Sequence, residues 1–143
     1  MTEVDRALVR RKLAAMSRNL GDLAPVEGLS LAEYVTDRLR RKAVERLLQE
    51  VVDTAVDVNL HLLRTLQVQL PGDYYTSFLE VGRQNIIAAD LAKTLAPAAG
   101  LRNRLVHEYD EIDDSLVLRA VGDARRDFGT YIAAVERYLE LAE

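Results

Sequence analysis

Between Ser30 and Leu70 the chain carries neither proline nor glycine. The two strongest interrupters of regular backbone are missing from a continuous stretch that makes up more than a quarter of the molecule. The stretch opens with Ser30-Leu31-Ala32-Glu33, a capping box in which serine and glutamate satisfy each other's orphan backbone N–H groups. Its spacing predicts a very long helix, with a bend or a break left open. The second half, Val51 to Leu63, is apolar on more than one face. A helix apolar on several sides must be covered on several sides, so this half is expected to pack against its own bundle and against a partner surface as well.

The rest of the chain reads as shorter helices around that one. Thr2 is the expected N-cap of a first helix reaching about Leu23, with Val4, Ala7, Leu8, Leu13, Leu20 and Leu23 at broadly helical spacing. Pro71-Gly72 marks a turn, and Asp73 caps a short helix in which Tyr75, Phe78 and Leu79 form the expected core stripe. The pair Tyr74-Tyr75 is read as packing rather than as a base-stacking platform. A further helix is expected from Ile86 to Leu95. Another follows from Pro97, whose missing N–H costs nothing in a first turn, to about Glu108, and a last one from Ser115 to Leu141. Seven glycines and three prolines in 143 residues leave little room for loops. The expected fold is all-α: a compact antiparallel bundle of about five to six helices, in a single domain spanning residues 1–143.

Composition narrows the chemistry. Without cysteine there is no disulfide, thiolate nucleophile or cysteine-ligated zinc, and two distant histidines argue against a histidine metal site, so neither metal nor cofactor is expected. His61 is expected to be a structural, hydrogen-bonded histidine. The N-terminus lacks a basic segment followed by an apolar run, and no run approaches the ~20 apolar residues of a membrane span, which predicts a cytoplasmic chain with no membrane partner. The net charge of -4 argues against a surface that grips nucleic acid throughout, and DNA binding is not expected. Arg10-Arg11-Lys12 and Arg38-Leu39-Arg40-Arg41-Lys42 are local basic clusters, a type that more often forms the solvated face of a helix.

Proton-handling and phosphate-handling groups concentrate in Leu101-Arg102-Asn103-Arg104-Leu105-Val106-His107-Glu108-Tyr109. On a helix at ~100° per residue, Ala98, Leu101 and Leu105 share the core face, Asn103 and His107 share the outer face, and Arg102 projects about 140° from His107. One straight helix therefore does not bring Arg102 and His107 together. Read blandly, Arg102 and Arg104 pair with Glu108, Asp110 or Asp113, His107 is solvated, and Tyr109 packs on the bundle edge. Read chemically, a histidine that takes and returns protons near neutral pH stands beside a guanidinium that holds phosphate in two-point contact.

The pattern Arg-x-x-x-x-His-x-Tyr, carried by Arg102, His107 and Tyr109 with polar Asn103 after the arginine, closely resembles the motif of the HEPN superfamily, in particular its HepT-like toxins. The likeness extends through the preceding helix, the Asp110-to-Asp114 linker and the closing helix, and more loosely back through the long helix. It implies a toxin ribonuclease in which His107 acts as general acid or base, Arg102 stabilises phosphoryl charge and Asn103 lends polar support, without a metal. It also implies a homodimer that sets two motifs around one cleft, and a cognate MNT-type nucleotidyltransferase antitoxin that transfers AMP onto Tyr109. The acidic flank, Glu108 to Asp114, departs from a simple RNA-binding surface, so basic groups elsewhere or the partner chain must hold RNA. A non-catalytic dimerisation module that binds and regulates the nucleotidyltransferase is the alternative.

Overall fold

Six helices and one isolated helical turn make up the described residues, 3–107 and 111–141, of the computed structural model. Helix α1 (Arg6–Asp22) starts later than the sequence predicts. Its N-cap is Asp5, whose Oδ1 accepts from the Leu8 N–H at 3.0 Å, and the expected cap Thr2 lies outside the described residues.

The Ser30 capping box forms as expected, with the Glu33 N–H donating to Ser30 Oγ at 3.1 Å and the Ser30 N–H donating to Glu33 Oε1 at 3.0 Å. The helix it opens, α2 (Leu31–Tyr34), lasts only one turn. Side chains take over its last carbonyls: Thr36 Oγ1 donates to Glu33 O at 2.8 Å, and Arg40 Nη2 donates to Glu33 O and Tyr34 O. Asp37 then caps a new helix, its Oδ1 accepting from the Arg40 N–H at 3.0 Å. The long apolar stretch is thus α3 (Arg38–Thr65), with 28 residues.

Helix α3 is the central element, packed against α1, α4 (Tyr74–Arg83), α6 (Ala98–His107) and α7 (Asp114–Leu141). Val51, Val52, Ala55, Val56, Val58, Leu62 and Leu63 are all buried by this same chain. This corrects the expectation that the second half of the helix faces a partner: its several apolar sides are used internally.

Helix α4 begins at Asp73, whose Oδ1 accepts from the Thr76 N–H at 2.7 Å, and this bond holds the Asp73 carboxyl below the usual carboxylate range. It ends in a Schellman motif, with Asn85 at φ +61°, the Ile86 N–H on Val81 O and the Asn85 N–H on Gly82 O. Ile86 and Ile87 are buried in this turn rather than helical, so α5 (Ala89–Leu95) starts three residues later than predicted. The two helices cross closely at Gly82, where an added Cβ would lie 2.5 Å from Ala92 Cβ. Asp113 opens α7 by accepting from the Ser115 and Leu116 N–H groups.

Phe78, Phe128 and Tyr131 meet edge to face in the core, with ring centres 6.1 to 6.3 Å apart. Tyr131 Oη donates to Asn59 Oδ1 at 2.6 Å, Asn59 Nδ2 donates to Ser77 Oγ at 3.2 Å, and Ser77 Oγ donates to Tyr74 O at 2.7 Å, tying α7, α3 and α4 together. The core stripe of α4 accordingly runs through Ser77, Phe78 and Val81, with Tyr74 half-buried. Tyr75, expected on that stripe, is 50% exposed. Among the described residues, no helix is long and apolar enough to cross a membrane.

Candidate active site

Helix α6 starts where Pro97 predicts, the Pro97 carbonyl accepting from Gly100 and Leu101 N–H groups. Leu105 and Ala99 are buried, Ala98 and Leu101 pack partly against the core, and Asn103, Arg104 and His107 are exposed. The wheel reading of the inner and outer faces therefore holds.

Arg102 sits at the edge between the two faces. Its Nε donates to Asp53 Oδ1 of α3 at 2.7 Å, and its guanidinium carbon lies 4.9 Å from the centre of the Tyr74 ring. None of the carboxylates nearby in sequence is its partner among the described residues; the ion pair reaches back to the central helix. The side chain is 21% exposed and that of Asp53 31%, so water screens the pair and its stabilising effect is small, about 1 kcal/mol or less. Its larger effect is orientation. Nε faces inward and the ring lies against the guanidinium, while neither terminal nitrogen has a hydrogen-bond partner among the described residues. Two parallel N–H donors are the fork that fits phosphate oxygens. The Tyr74 phenol titrates above its ordinary value, first because it is partly buried and then because the Asp53 carboxylate stands beside it.

His107 is exposed at the last position of α6. Arg102 and His107 thus occupy different faces of the helix, about 140° apart at ~100° per residue. Tyr109, with Glu108 and Asp110, lies outside the described residues. Asp53 and Tyr74 are the residues of this candidate site that sequence reasoning missed. Asp53 leaves a signal, as a carboxylate inside the apolar run Val51 to Val58, whereas Tyr74 reads from the sequence only as packing.

His61 and several residues of the two basic clusters make structural contacts. His61 Nε2 accepts from the Asp5 N–H at 3.1 Å, fastening the start of α1 to α3. Arg10 pairs with Glu136, Lys12 with Asp57, Arg41 with Asp114 and Lys42 with Glu45. Among the described residues, no group of three or more His, Asp or Glu side chains is arranged to hold a metal ion.

Comparison with known proteins agrees with this architecture. The family model described as "Ribonuclease HepT-like" matches residues 16–135. The chain is 35% identical over 139 residues to the tRNA nuclease HepT of Aphanizomenon flos-aquae, covering 97% of this chain and 95% of that one. It is 26% identical over 129 residues to the mRNA nuclease HepT of Shewanella oneidensis, covering 90% and 96%. The solved structure of the tri-AMPylated Shewanella oneidensis HEPN toxin in complex with MNT antitoxin superposes with a TM-score of 0.81 at 25% identity, covering 96% of this chain and 99% of that one. With the match spanning α3 to α6 and most of α7, this chain belongs to the HepT-like ribonuclease family.

Proposed function

We propose that this endoribonuclease acts as the toxin of a toxin–antitoxin pair and cleaves RNA through Arg102 and His107. The RNA 2′-hydroxyl attacks the adjacent phosphorus, the bond from phosphorus to the 5′-oxygen breaks, and a 2′,3′-cyclic phosphate and a 5′-hydroxyl remain. His107 moves a proton at the attacking or departing oxygen, Arg102 stabilises charge on the phosphoryl oxygens, and Asn103 lends a polar contact on the same outer face as His107. None of these steps draws on a metal ion.

The observation that carries this reading is the preset guanidinium: Asp53 and Tyr74 fix Arg102, and its terminal nitrogens meet no hydrogen-bond partner among the described residues. Because Arg102 and His107 lie on different faces of α6, two chains related by a two-fold axis are the simplest way to surround one phosphate with both groups. The apolar sides of the second half of α3 are buried, so the outer face of α6 supplies this interface. A nucleotidyltransferase antitoxin neutralises the toxin by transferring AMP from ATP to the Tyr109 hydroxyl, releasing pyrophosphate. The toxin–antitoxin complex among the structural relatives supports this partner.

The test is cleavage of end-labelled RNA by the purified chain in EDTA. Cyclic-phosphate products, and resistance of a strand with a single 2′-deoxy at the cut site, are expected. Metal-dependent cleavage leaving 3′-hydroxyls would overturn the mechanism, and light scattering at 16.1 kDa only would overturn the dimer.

A further inference from the structure

Beside the motif helix, a cavity of about 340 Å³ opens between α5, α6 and α7. Leu48, Leu95 and Phe128 contribute to its apolar lining, and Arg104, Arg119, Asp123 and Asp127 supply charged groups. Its size is that of a small-ligand site, and an apolar interior with a few polar groups suits a flat group that is apolar on its faces and polar at its edge.

The charges fit a nucleotide. Arg104 is exposed and has no ion-pair partner among the described residues, and the Arg119 guanidinium acts over a distance on Asp113. Among the described residues Asp123 accepts only through Oδ1, from Arg126, which leaves its second oxygen open to an exocyclic amino group. Position matters as much as charge. Arg104 precedes His107 by three residues, so it lies about 60° round α6 and roughly 4.5 Å along its axis, between the outer face and the cavity.

We propose that this groove is a base-binding subsite, in which a nucleotide next to the scissile phosphate seats its base on the apolar lining while Arg104 and Arg119 hold the flanking phosphates. The subsite rests on the RNA-cleavage reading above and adds to it a source of sequence preference. It also answers the acidic flank of the motif, since the two arginines place positive charge on the side of α6 away from Asp53.

The test uses a short oligoribonucleotide with 2′-O-methyl groups that block cleavage and one 4-thiouridine moved along the strand, bound to the full chain. Photo-cross-links from one nucleotide position to the groove segments around Ala98–Leu101 and Leu116–Asp127 are expected. Ala120→Trp, which fills the groove, should weaken binding of this oligonucleotide by about 5- to 150-fold, the range for losing one stacked base. Arg104→Gln, at an exposed position, should weaken it and make it less salt-dependent through loss of a phosphate contact. Unchanged affinity in a folded Arg104→Gln protein, or cross-links confined to other faces, overturns the subsite even if cleavage is normal. Groove cross-links with a chain that does not cut RNA uphold base binding in the groove and overturn its place beside a scissile phosphate together with the cleavage reading. Protection of the groove by the nucleotidyltransferase partner, with no RNA cross-link there, overturns the subsite in favour of a protein anchor.

Discussion

Arg102 Nε donates to Asp53 Oδ1 at 2.7 Å across 49 residues of sequence, and this bond, rather than any described neighbour in the motif, sets the direction of the guanidinium. Asp53→Asn keeps the shape but removes the charge that holds Arg102. Cleavage is expected to fall by about 10- to 100-fold, in kcat more than in KM, because a misaimed group loses transition-state contact first. Since the pair is partly exposed, stability should change by about 1 kcal/mol or less. Steady-state kinetics and urea unfolding on the same variant separate the two effects; an equal fall in both would show that Asp53 is merely structural.

His107→Ala should lower cleavage by about 10²- to 10⁴-fold and leave the melting temperature unchanged, because the side chain is exposed. Arg102→Ala should also abolish cleavage but behave differently on heating. It leaves the Asp53 carboxylate half-buried beside Tyr74 without its cation, which predicts a melting temperature lower by about 2 to 8 °C. Calorimetry of the two variants side by side checks the contrast.

Tyr109 is the predicted acceptor of AMP. Intact mass spectrometry after incubation with the nucleotidyltransferase and ATP should show addition of AMP, and Tyr109→Phe should stay unmodified and escape neutralisation. Modification found on Tyr74, Tyr75, Tyr131 or Tyr138 instead would contradict the assignment.

Tyr34 gives a pH signature. Its hydroxyl is buried with no hydrogen-bond partner among the described residues, and burial pushes its pKa from 10.0 up to about 12. The folded value lies above the unfolded one, so this group's contribution is complete below pH 10 and is lost as pH rises from 10 towards 12. That loss amounts to about 2 to 3 kcal/mol. Tyr34→Phe should be neutral or slightly stabilising at pH 7, where it removes an unsatisfied hydroxyl, and clearly more stable than the parent near pH 11. Urea midpoints at the two pH values test both statements.

Much of this molecule was legible in its sequence, for local reasons. The Ser30-Glu33 box, the Asp73 cap, Pro97 and the apolar spacing of α7 act within a turn or two of themselves, and all appear where the sequence places them. The break after Tyr34 was not legible from proline or glycine, because it is made by Thr36, Asp37 and Arg40 competing for backbone groups. Tyr75 was assigned to the core because a spacing of three and four fits two adjacent stripes, and the tertiary fold chose the one through Phe78. The candidate site was half legible: the motif points to Arg102 and His107 as candidates, whereas Asp53 and Tyr74 come from elements that only the folded chain brings beside it.

The buried chain of hydrogen bonds from Tyr131 through Asn59 and Ser77 to the Tyr74 carbonyl acts as a key in a lock between three helices. Aliphatic packing alone confers stability more readily than it specifies a single register. Directional donors and acceptors accept one register only. Tyr74 follows Asp73 at the first position of α4, so the register that this key selects also determines which aromatic face lies against Arg102. An apolar substitution at Asn59 would therefore yield a helical, even stable, protein whose guanidinium is aimed at nothing in particular.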